Sequence, residues 1–128
     1  MILDSSAILA VVFKEPGFDA VLDKIVAAET IAIGAPTAAE AAIVLDARLG
    51  PTGRGALARL LHEWSVTVVP FGEDHWTQAA EAYARFGRGR HKAALNFGDC
   101  LSYAVARLAD QPLLCVGDDF ARTDLALA

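Results

Sequence analysis

Five acidic residues occupy positions along the chain where a carboxylate could help to bind a metal ion. Asp4 directly follows a short apolar run, Glu40 and Asp99 follow helix-starting stretches, and Asp118 and Asp119 follow a glycine. Carboxylate oxygens are the ligands that the hard cations Mg²⁺ and Mn²⁺ prefer, and no Cys or His pair shows zinc-ligand spacing. A pair of such cations about 4 Å apart would activate water and neutralise charge on a phosphodiester leaving group. These acids therefore predict metal-dependent phosphodiester hydrolysis.

Each of these acids also has an ordinary structural interpretation. Asp4 is a favoured residue for capping the helix that follows it, and Thr37 with Glu40 matches a capping box. Asp99 lies in a first helical turn, where a carboxylate complements the helix dipole, and Asp is common in turns such as the one at the end of the chain. Four carboxylates gathered in one crevice are harder to explain structurally, because they repel one another unless cations compensate.

The elements that must position these acids alternate along the chain. Strands are predicted at residues 1–3, 30–34, 65–69 and 113–116, with helices at 6–13, 18–26 and 36–49, around 57–64, from about 73 and from 96. This alternation predicts one three-layer α/β/α domain over residues 1–128, with a largely parallel sheet of four or five strands. Asp4 and Asp118 would then lie at the carboxyl ends of strands, where ligands bind in open α/β sheets.

The composition is typical of a single small α/β domain. The 128 residues are 55% hydrophobic but only 8% aromatic, which fits a parallel sheet covered on both faces. No apolar run is long enough to span a membrane and no leader pattern precedes the first strand, so no membrane association is expected. Cys100 and Cys115 lie in apolar sequence, which favours reduced thiols of a cytoplasmic protein. Trp64 and Trp76 are expected in the core or at a dimer contact.

The charge of the chain is unevenly distributed. The net charge is −5, yet residues 82–98 contain no acid and carry +4, while the other 111 residues carry −9. The basic residues of this window are Arg85, Arg88, Arg90 and Lys92. A protein that repels polyanions on average can still attract them at one edge. Contact with a nucleic-acid backbone and a plain solvated loop are both compatible with this pattern.

Four stretches together resemble a known family. They are Ile2–Ala7, Thr37–Glu40, Asn96–Cys100 and Leu114–Thr123, in this order over the whole chain. They resemble the PIN domain, and more closely the VapC toxins of bacterial toxin–antitoxin pairs. The resemblance implies a Mg²⁺- or Mn²⁺-dependent endoribonuclease that acts on RNA, forms a homodimer and is blocked by a cognate VapB-type antitoxin.

The resemblance also assigns roles by position. The acidic quartet would consist of Asp4, Glu40, Asp99 and Asp118. Asp4 and Asp99 would be the most direct metal ligands, and Asp119 is the alternative to Asp118 as the fourth acid. Ser6 corresponds to a hydroxyl residue that orients a carboxylate or a water. In this family the N-terminal helices hold the antitoxin, so the apolar stripe from Phe18 to Val26 is expected to be partly an interface.

Two other functions are compatible with the acidic pattern. A phosphotransfer domain of the receiver or dehalogenase type also places an Asp after a strand. A dehalogenase-type site would want a second Asp where this chain has Ser6, and a receiver does not fit the Pro70 that follows the third strand. The other alternative is a non-catalytic interaction module whose acids only cap helices. Metal binding separates that module from a nuclease, and a trapped phosphorylated enzyme would identify the phosphotransferase.

Overall fold

The fold is built on a short parallel sheet. In the computed structural model, which describes residues 1–128, the strands are β1 (Ile2–Leu3), β2 (Ala32–Gly34), β3 (Thr67–Val69) and β4 (Leu113–Leu114). They are hydrogen-bonded in the order β3-β2-β1-β4 and all pairs are parallel. Leu3 lies at the centre, opposite Ile33 on one side and Leu114 on the other. A further bridge joins Leu113 to Leu127, so the last residues extend the sheet edge.

Six α-helices connect and cover the strands. They are α1 (Ser5–Val12), α2 (Phe18–Ala27), α3 (Ala35–Leu49), α4 (Gly53–Glu63), α5 (Glu73–Phe86) and α6 (Phe97–Ala109), with 3₁₀ turns at Gly50–Thr52 and Phe120–Arg122. The α/β class and the parallel sheet predicted from the sequence are confirmed. None of the helices combines the length and the apolar character that crossing a bilayer requires.

Two hydrophobic layers hold the helices against opposite faces of the sheet. Successive residues of a strand point to opposite faces, so Ile2 packs into one layer and Leu3 into the other. The first layer joins α5 and α6 to the sheet, with Phe86 and Tyr103 as its largest side chains. The second joins α1, α2, α3 and α4, around residues such as Leu45. All residues of β1 and β4 are buried between these layers, and the residues that follow both strands leave the core at the same edge of the sheet.

Candidate active site

Asp4 lies where β1 ends and α1 begins. Its backbone N–H donates to the Leu114 carbonyl at the end of β4, 2.9 Å away, and its side chain is buried with 6% exposure. The Oδ2 atom accepts hydrogen bonds from the Ser6 N–H at 3.1 Å and from the Ser6 hydroxyl at 2.6 Å. The Oδ1 atom accepts from the Ser102 hydroxyl at 2.6 Å. Asp4 therefore does cap α1, and it is also tied to a second helix.

Ser6 joins the ends of two neighbouring strands. Its hydroxyl donates to Asp4 and accepts a hydrogen bond of 3.0 Å from the backbone N–H of Val116, just beyond β4. A rotation of the Asp4 carboxylate would break the hydrogen bonds from both the N–H and the hydroxyl of Ser6. The position of Asp4 is thus set by backbone and side-chain bonds together.

Glu40 projects from the second turn of α3 towards the same edge. Helix α3 begins at Ala35 and has Gly34 as its N-cap, so the interpretation of Thr37 and Glu40 as a capping box is wrong. The Oε1 atom of Glu40 instead accepts a hydrogen bond of 2.5 Å from the Ser5 hydroxyl, in the first turn of α1. Glu40 is therefore linked to the residue that directly follows Asp4.

Gly98 shows how closely α3 and α6 approach one another here. A Cβ atom added at Gly98 would collide with the Glu40 carboxylate. The absence of a side chain lets Glu40 lie directly against the first turn of α6, one residue from Asp99. This close packing brings the Glu40 carboxylate of α3 against the residue that precedes Asp99 on α6.

Asp99 is held by reciprocal hydrogen bonds in the first turn of α6. The Asp99 N–H donates to Asn96 Oδ1, and the Asn96 N–H donates to Asp99 Oδ2, each at 2.9 Å. Burial raises the pKa of Asp99 above its usual value, and the hydrogen bond from Asn96 opposes this rise. Repulsion by the three carboxylates of Asp4, Asp119 and Glu40 raises it further. Asp99 therefore lies within the electric field of acids from three other parts of the chain.

The last acidic pair lies in the turn after β4. Gly117, with φ of 104°, adopts the left-handed conformation that favours glycine, and Asp118 and Asp119 follow it as exposed residues. Asp119 is among the charges that raise the pKa of Asp99. The pKa of the Cys115 thiol is raised to about 11, by burial first and also by Asp4, Asp99 and Asp119. The charge of Asp119 therefore reaches the other acids.

The donor set at this edge fits a hard divalent cation. All of its charged groups are carboxylates, and the only two ion pairs in the structure, Arg54–Asp46 and Arg85–Asp124, lie elsewhere. No three acidic, His or Cys side chains form a closed ligand cluster. Serine hydroxyls and backbone amides hold the carboxylates individually instead. Oxygen ligands with uncompensated negative charge are what Mg²⁺ or Mn²⁺ would need.

The basic window forms an anchored loop between α5 and α6. The Leu95 N–H donates to the Phe86 carbonyl at 2.9 Å and both residues are buried, so the ends of the loop are fixed. Arg85 belongs to α5 and pairs with Asp124 at 3.0 Å. The exposed basic residues of the loop itself are Arg88, Arg90 and Lys92. Three of the four basic residues noted in the sequence thus lie exposed in the loop. The fourth, Arg85, lies on α5 and forms an ion pair.

Sequence interpretation missed Ser102 and assigned Thr37 only a capping role. Ser102 lies three residues after Asp99 on α6 and donates to Asp4, and Thr37 lies three residues before Glu40 on α3 and contacts Ser102. A signal was present, since residues three apart share a helix face. The side chains of Asp99 and Ser102, like those of Thr37 and Glu40, had to point to the same side.

A parallel sheet with acids at the carboxyl ends of its strands defines an α/β domain with a candidate ligand site at that edge, and the comparisons with known proteins specify the family. The family model of the PIN domain matches residues 1–125. The ribonuclease VapC36 of Mycobacterium tuberculosis is 47% identical over 126 residues, which cover 98% of this chain and 91% of that protein. The ribonuclease VapC of Mycolicibacterium smegmatis is 40% identical, with 98% of each chain covered. The chain therefore belongs to the PIN-domain family and, within it, to the VapC ribonucleases, which are endoribonuclease toxins.

Solved structures confirm the fold. The VapC20 toxin of Mycobacterium tuberculosis, described as cleaving the sarcin–ricin loop, superposes with a TM-score of 0.80 at 18% identity and covers 99% of this chain and 97% of its own. The VapBC2 complex of Rickettsia felis contains a chain with a TM-score of 0.77 at 17% identity, covering 99% of this chain and 96% of its own. The expected resemblance to VapC toxins is confirmed, and it favours the nuclease over the phosphotransfer and interaction-module alternatives.

Proposed function

We propose that this VapC ribonuclease hydrolyses RNA in the cytoplasm with the help of a bound Mg²⁺ or Mn²⁺. The acids that would hold the cation are Asp4, Glu40, Asp99 and Asp119. The observation that supports this most directly is the packing of the Glu40 carboxylate against Gly98, the residue before Asp99, at an edge where no cationic side chain forms an ion pair. The pKa of Asp99 is raised there, by burial first and then by repulsion from neighbouring acids. We place Asp119 in the set ahead of Asp118, because the charge of Asp119 is among those that raise the pKa of Asp99.

The side chains at the site divide the work among them. A divalent cation bound there would supply Lewis acidity for the attacking water and would neutralise charge on the leaving oxygen. Asp4 and Asp99 would be its principal ligands, since both carboxylates are fixed by hydrogen bonds. Ser6 keeps Asp4 in place. Glu40, held at Oε1 by Ser5, retains free lone pairs and would orient the attacking water or receive its proton.

Cation binding is expected to stabilise the folded protein measurably. A ligand that binds only the folded state at about 100-fold above its Kd contributes about 2.7 kcal/mol, which corresponds to a rise in Tm on the order of 5–10 °C. Thermal unfolding of the chelator-treated protein, with and without MnCl₂ or MgCl₂, measures this shift. The Asp99→Asn variant serves as the control and should show little of it. An unchanged Tm together with cleavage in the presence of chelator would refute the metal site.

The basic loop is proposed to hold the RNA backbone beside the acids. Replacing Arg88, Arg90 and Lys92 with Gln should weaken RNA binding and reduce the slope of log K against log salt by about 2, because each lost contact with single-stranded phosphate removes about 0.7. Binding of a labelled, cleavage-resistant RNA at several salt concentrations measures both quantities.

A matched control removes the same charge elsewhere. Replacing Arg48, Arg54 and Arg59 with Gln changes the net charge equally but acts on α3 and α4. If both triple variants lower the slope equally, the effect is one of overall charge and the loop has no particular role in RNA contact.

An apolar groove between α3, α5 and α6 is proposed as the contact with a second copy of the chain. The groove has a volume of about 1080 Å³ and ends beside Glu40. Its exposed large side chains include Trp76, 59% exposed, and Phe97, 78% exposed. Apolar patches of this kind mark interaction sites. Arg88 and Glu40 both line the groove. A two-fold symmetric contact would bring the Arg88 guanidinium of one copy towards the Glu40 carboxylate of the other.

A cognate antitoxin is the second proposed partner, and α2 is its proposed contact. The family is that of VapC toxins, and solved structures of the same fold include a toxin–antitoxin complex from Klebsiella pneumoniae. In the apolar stripe from Phe18 to Val26 only Ile25 is buried, and Val26 is 75% exposed. The stripe therefore leaves apolar surface available to a partner.

Two matched substitutions separate these surfaces. Trp76→Asp should convert the dimer to a monomer, because it places a charge in the groove, while Val26→Asp should leave the dimer intact and weaken binding of the cognate antitoxin. Sedimentation equilibrium and co-purification measure the two effects. A wild-type chain that is monomeric at micromolar concentration, or two variants with identical behaviour, would contradict the assignment.

A further inference from the structure

A chain of two buried hydroxyls lies directly beneath Asp4. The Ser102 hydroxyl, on a residue with 1% exposure, is 2.6 Å from Asp4 Oδ1. The Thr37 hydroxyl, on a residue with 2% exposure, is 3.2 Å from that of Ser102. No buried side-chain polar atom in the structure lacks a hydrogen-bond partner. Thr37, Ser102 and Asp4 are thus linked by two consecutive hydrogen bonds, and all three residues are buried.

The direction of this hydroxyl relay follows from counting protons. A hydroxyl has one proton to donate, and an ionised carboxylate has none. Ser102 donates its proton to Asp4, so the hydrogen bond between the two hydroxyls must be donated by Thr37. The relay therefore runs from Thr37 through Ser102 to Asp4.

The relay holds the one Asp4 oxygen that keeps a free lone pair. A carboxylate offers about four lone-pair sites. The Oδ2 atom accepts from the N–H and from the hydroxyl of Ser6, which uses both of its sites. The Oδ1 atom accepts only from Ser102. The remaining site for a cation is thus on Oδ1, and its direction is set by the bond from Ser102.

The relay also connects the helices that carry the other acids. Thr37 precedes Glu40 by three residues on α3, and Ser102 follows Asp99 by three residues on α6, so each hydroxyl shares a helix face with an acid. The contact between the two hydroxyls crosses from one helix to the other beneath Asp4. A change in its length would alter the spacing of α3 and α6 at the acidic edge.

We propose that Ser102 and Thr37 are positioning residues, which orient Asp4 Oδ1 and set the spacing of the acids for the divalent cation. This inference rests on the metal-dependent function proposed above. Packing alone does not account for the pair, because replacing both partners of a buried hydrogen bond with apolar groups of the same shape can leave stability nearly unchanged. Asp4 is the acceptor at the end of the hydroxyl relay.

Variants at Thr37 separate the hydroxyl from the packing. Thr37→Val keeps the volume and removes the hydroxyl, whereas Thr37→Ser keeps the hydroxyl and removes a methyl group. Ser102→Ala removes the direct bond to Asp4. Partners that orient metal ligands typically contribute 10- to 100-fold in affinity. We expect Ser102→Ala to raise the Kd for Mn²⁺ about tenfold, Thr37→Val to raise it about threefold, and Thr37→Ser to change it less than about twofold.

The experiment titrates Mn²⁺ into metal-free protein, follows the electron paramagnetic resonance signal of the free ion, and records the Tm of each variant. A wild-type protein that does not bind Mn²⁺ would overturn the proposed function and this inference together. Binding by the wild type with an unchanged Kd in Ser102→Ala and Thr37→Val would overturn the inference alone, even if Tm falls. An equal loss in Thr37→Ser and Thr37→Val would assign Thr37 to packing and would also overturn the relay. Should Ser102→Ala fail to fold, the pair of Thr37 variants decides.

Discussion

Replacing Asp99 with Asn is expected to reduce RNA cleavage by about 10³-fold or more, a loss on the scale seen when catalytic groups are removed. The variant retains the shape of the side chain, and an Asn oxygen can still accept the hydrogen bond that the Asn96 N–H donates to Asp99. What it loses is the negative charge that would bind the cation. Cleavage of a labelled RNA by purified protein in Mg²⁺ and in Mn²⁺ measures the effect.

The same substitution is expected to leave the protein at least as stable as the wild type at pH 7. The pKa of Asp99 is raised in the folded state, first by burial and then by repulsion from other acids. A raised carboxyl pKa means that the folded state is favoured when the group is protonated, and that stability is lost as the pH rises through this interval. Asn escapes that loss, so the Tm difference should shrink below about pH 3, where Asp is protonated in both states.

An exposed acid outside the site provides the control for Asp99. Asp23 lies exposed on α2, so Asp23→Asn makes the same chemical change without touching the acidic edge. It should retain cleavage close to that of the wild type. Full activity in Asp99→Asn would remove Asp99 from the mechanism, and a marked loss of stability at pH 7 would show that its charge serves the helix cap instead.

The order of the elements could be predicted because apolar runs alternate with amphipathic stretches, but several strand ends could not. The strand predicted at 30–34 begins at Ala32. The strand predicted at 65–69 begins at Thr67, because Ser65 adopts a left-handed φ of 53° directly after α4. The strand predicted at 113–116 ends at Leu114, and the Val116 N–H donates to the Ser6 hydroxyl. At the start of β3 and at the end of β4, a turn-forming or tertiary contact replaces the sheet hydrogen bonds that β-branched sequence favours.

The acidic residue types of the site could be predicted, but their hydrogen-bond partners could not. The match of Thr37 and Glu40 to a capping box is a local pattern, and it was wrong because α3 begins two residues before Thr37. Glu40 pairs with Ser5 across 35 positions in the sequence, and Ser102 pairs with Asp4 across 98. Such contacts depend on how α1, α3 and α6 meet at the sheet, which no local spacing encodes.

The sequence alone could not decide between Asp118 and Asp119 as the fourth acid. The two residues are identical and adjacent, so composition and spacing treat them alike. The backbone separates them, because Gly117 turns the chain after β4 and Asp119 leads directly into the 3₁₀ turn that begins at Phe120. Both side chains are exposed, and the charge of Asp119 is among those that raise the pKa of Asp99. We therefore propose Asp119 as the fourth acid.

The pair of substitutions Asp118→Asn and Asp119→Asn tests this directly. Asp119→Asn is expected to reduce cleavage and to weaken Mn²⁺ binding by about 10- to 100-fold, because it removes one of the charges that surround the cation. Asp118→Asn, which changes the net charge by the same amount one residue away, should change each less than about twofold, within the range of an ordinary surface substitution. The two proteins should have nearly the same Tm, since both side chains are exposed. A larger loss in Asp118→Asn would return the fourth position to Asp118, and equal losses would mean that both carboxylates act through general charge at the mouth of the site.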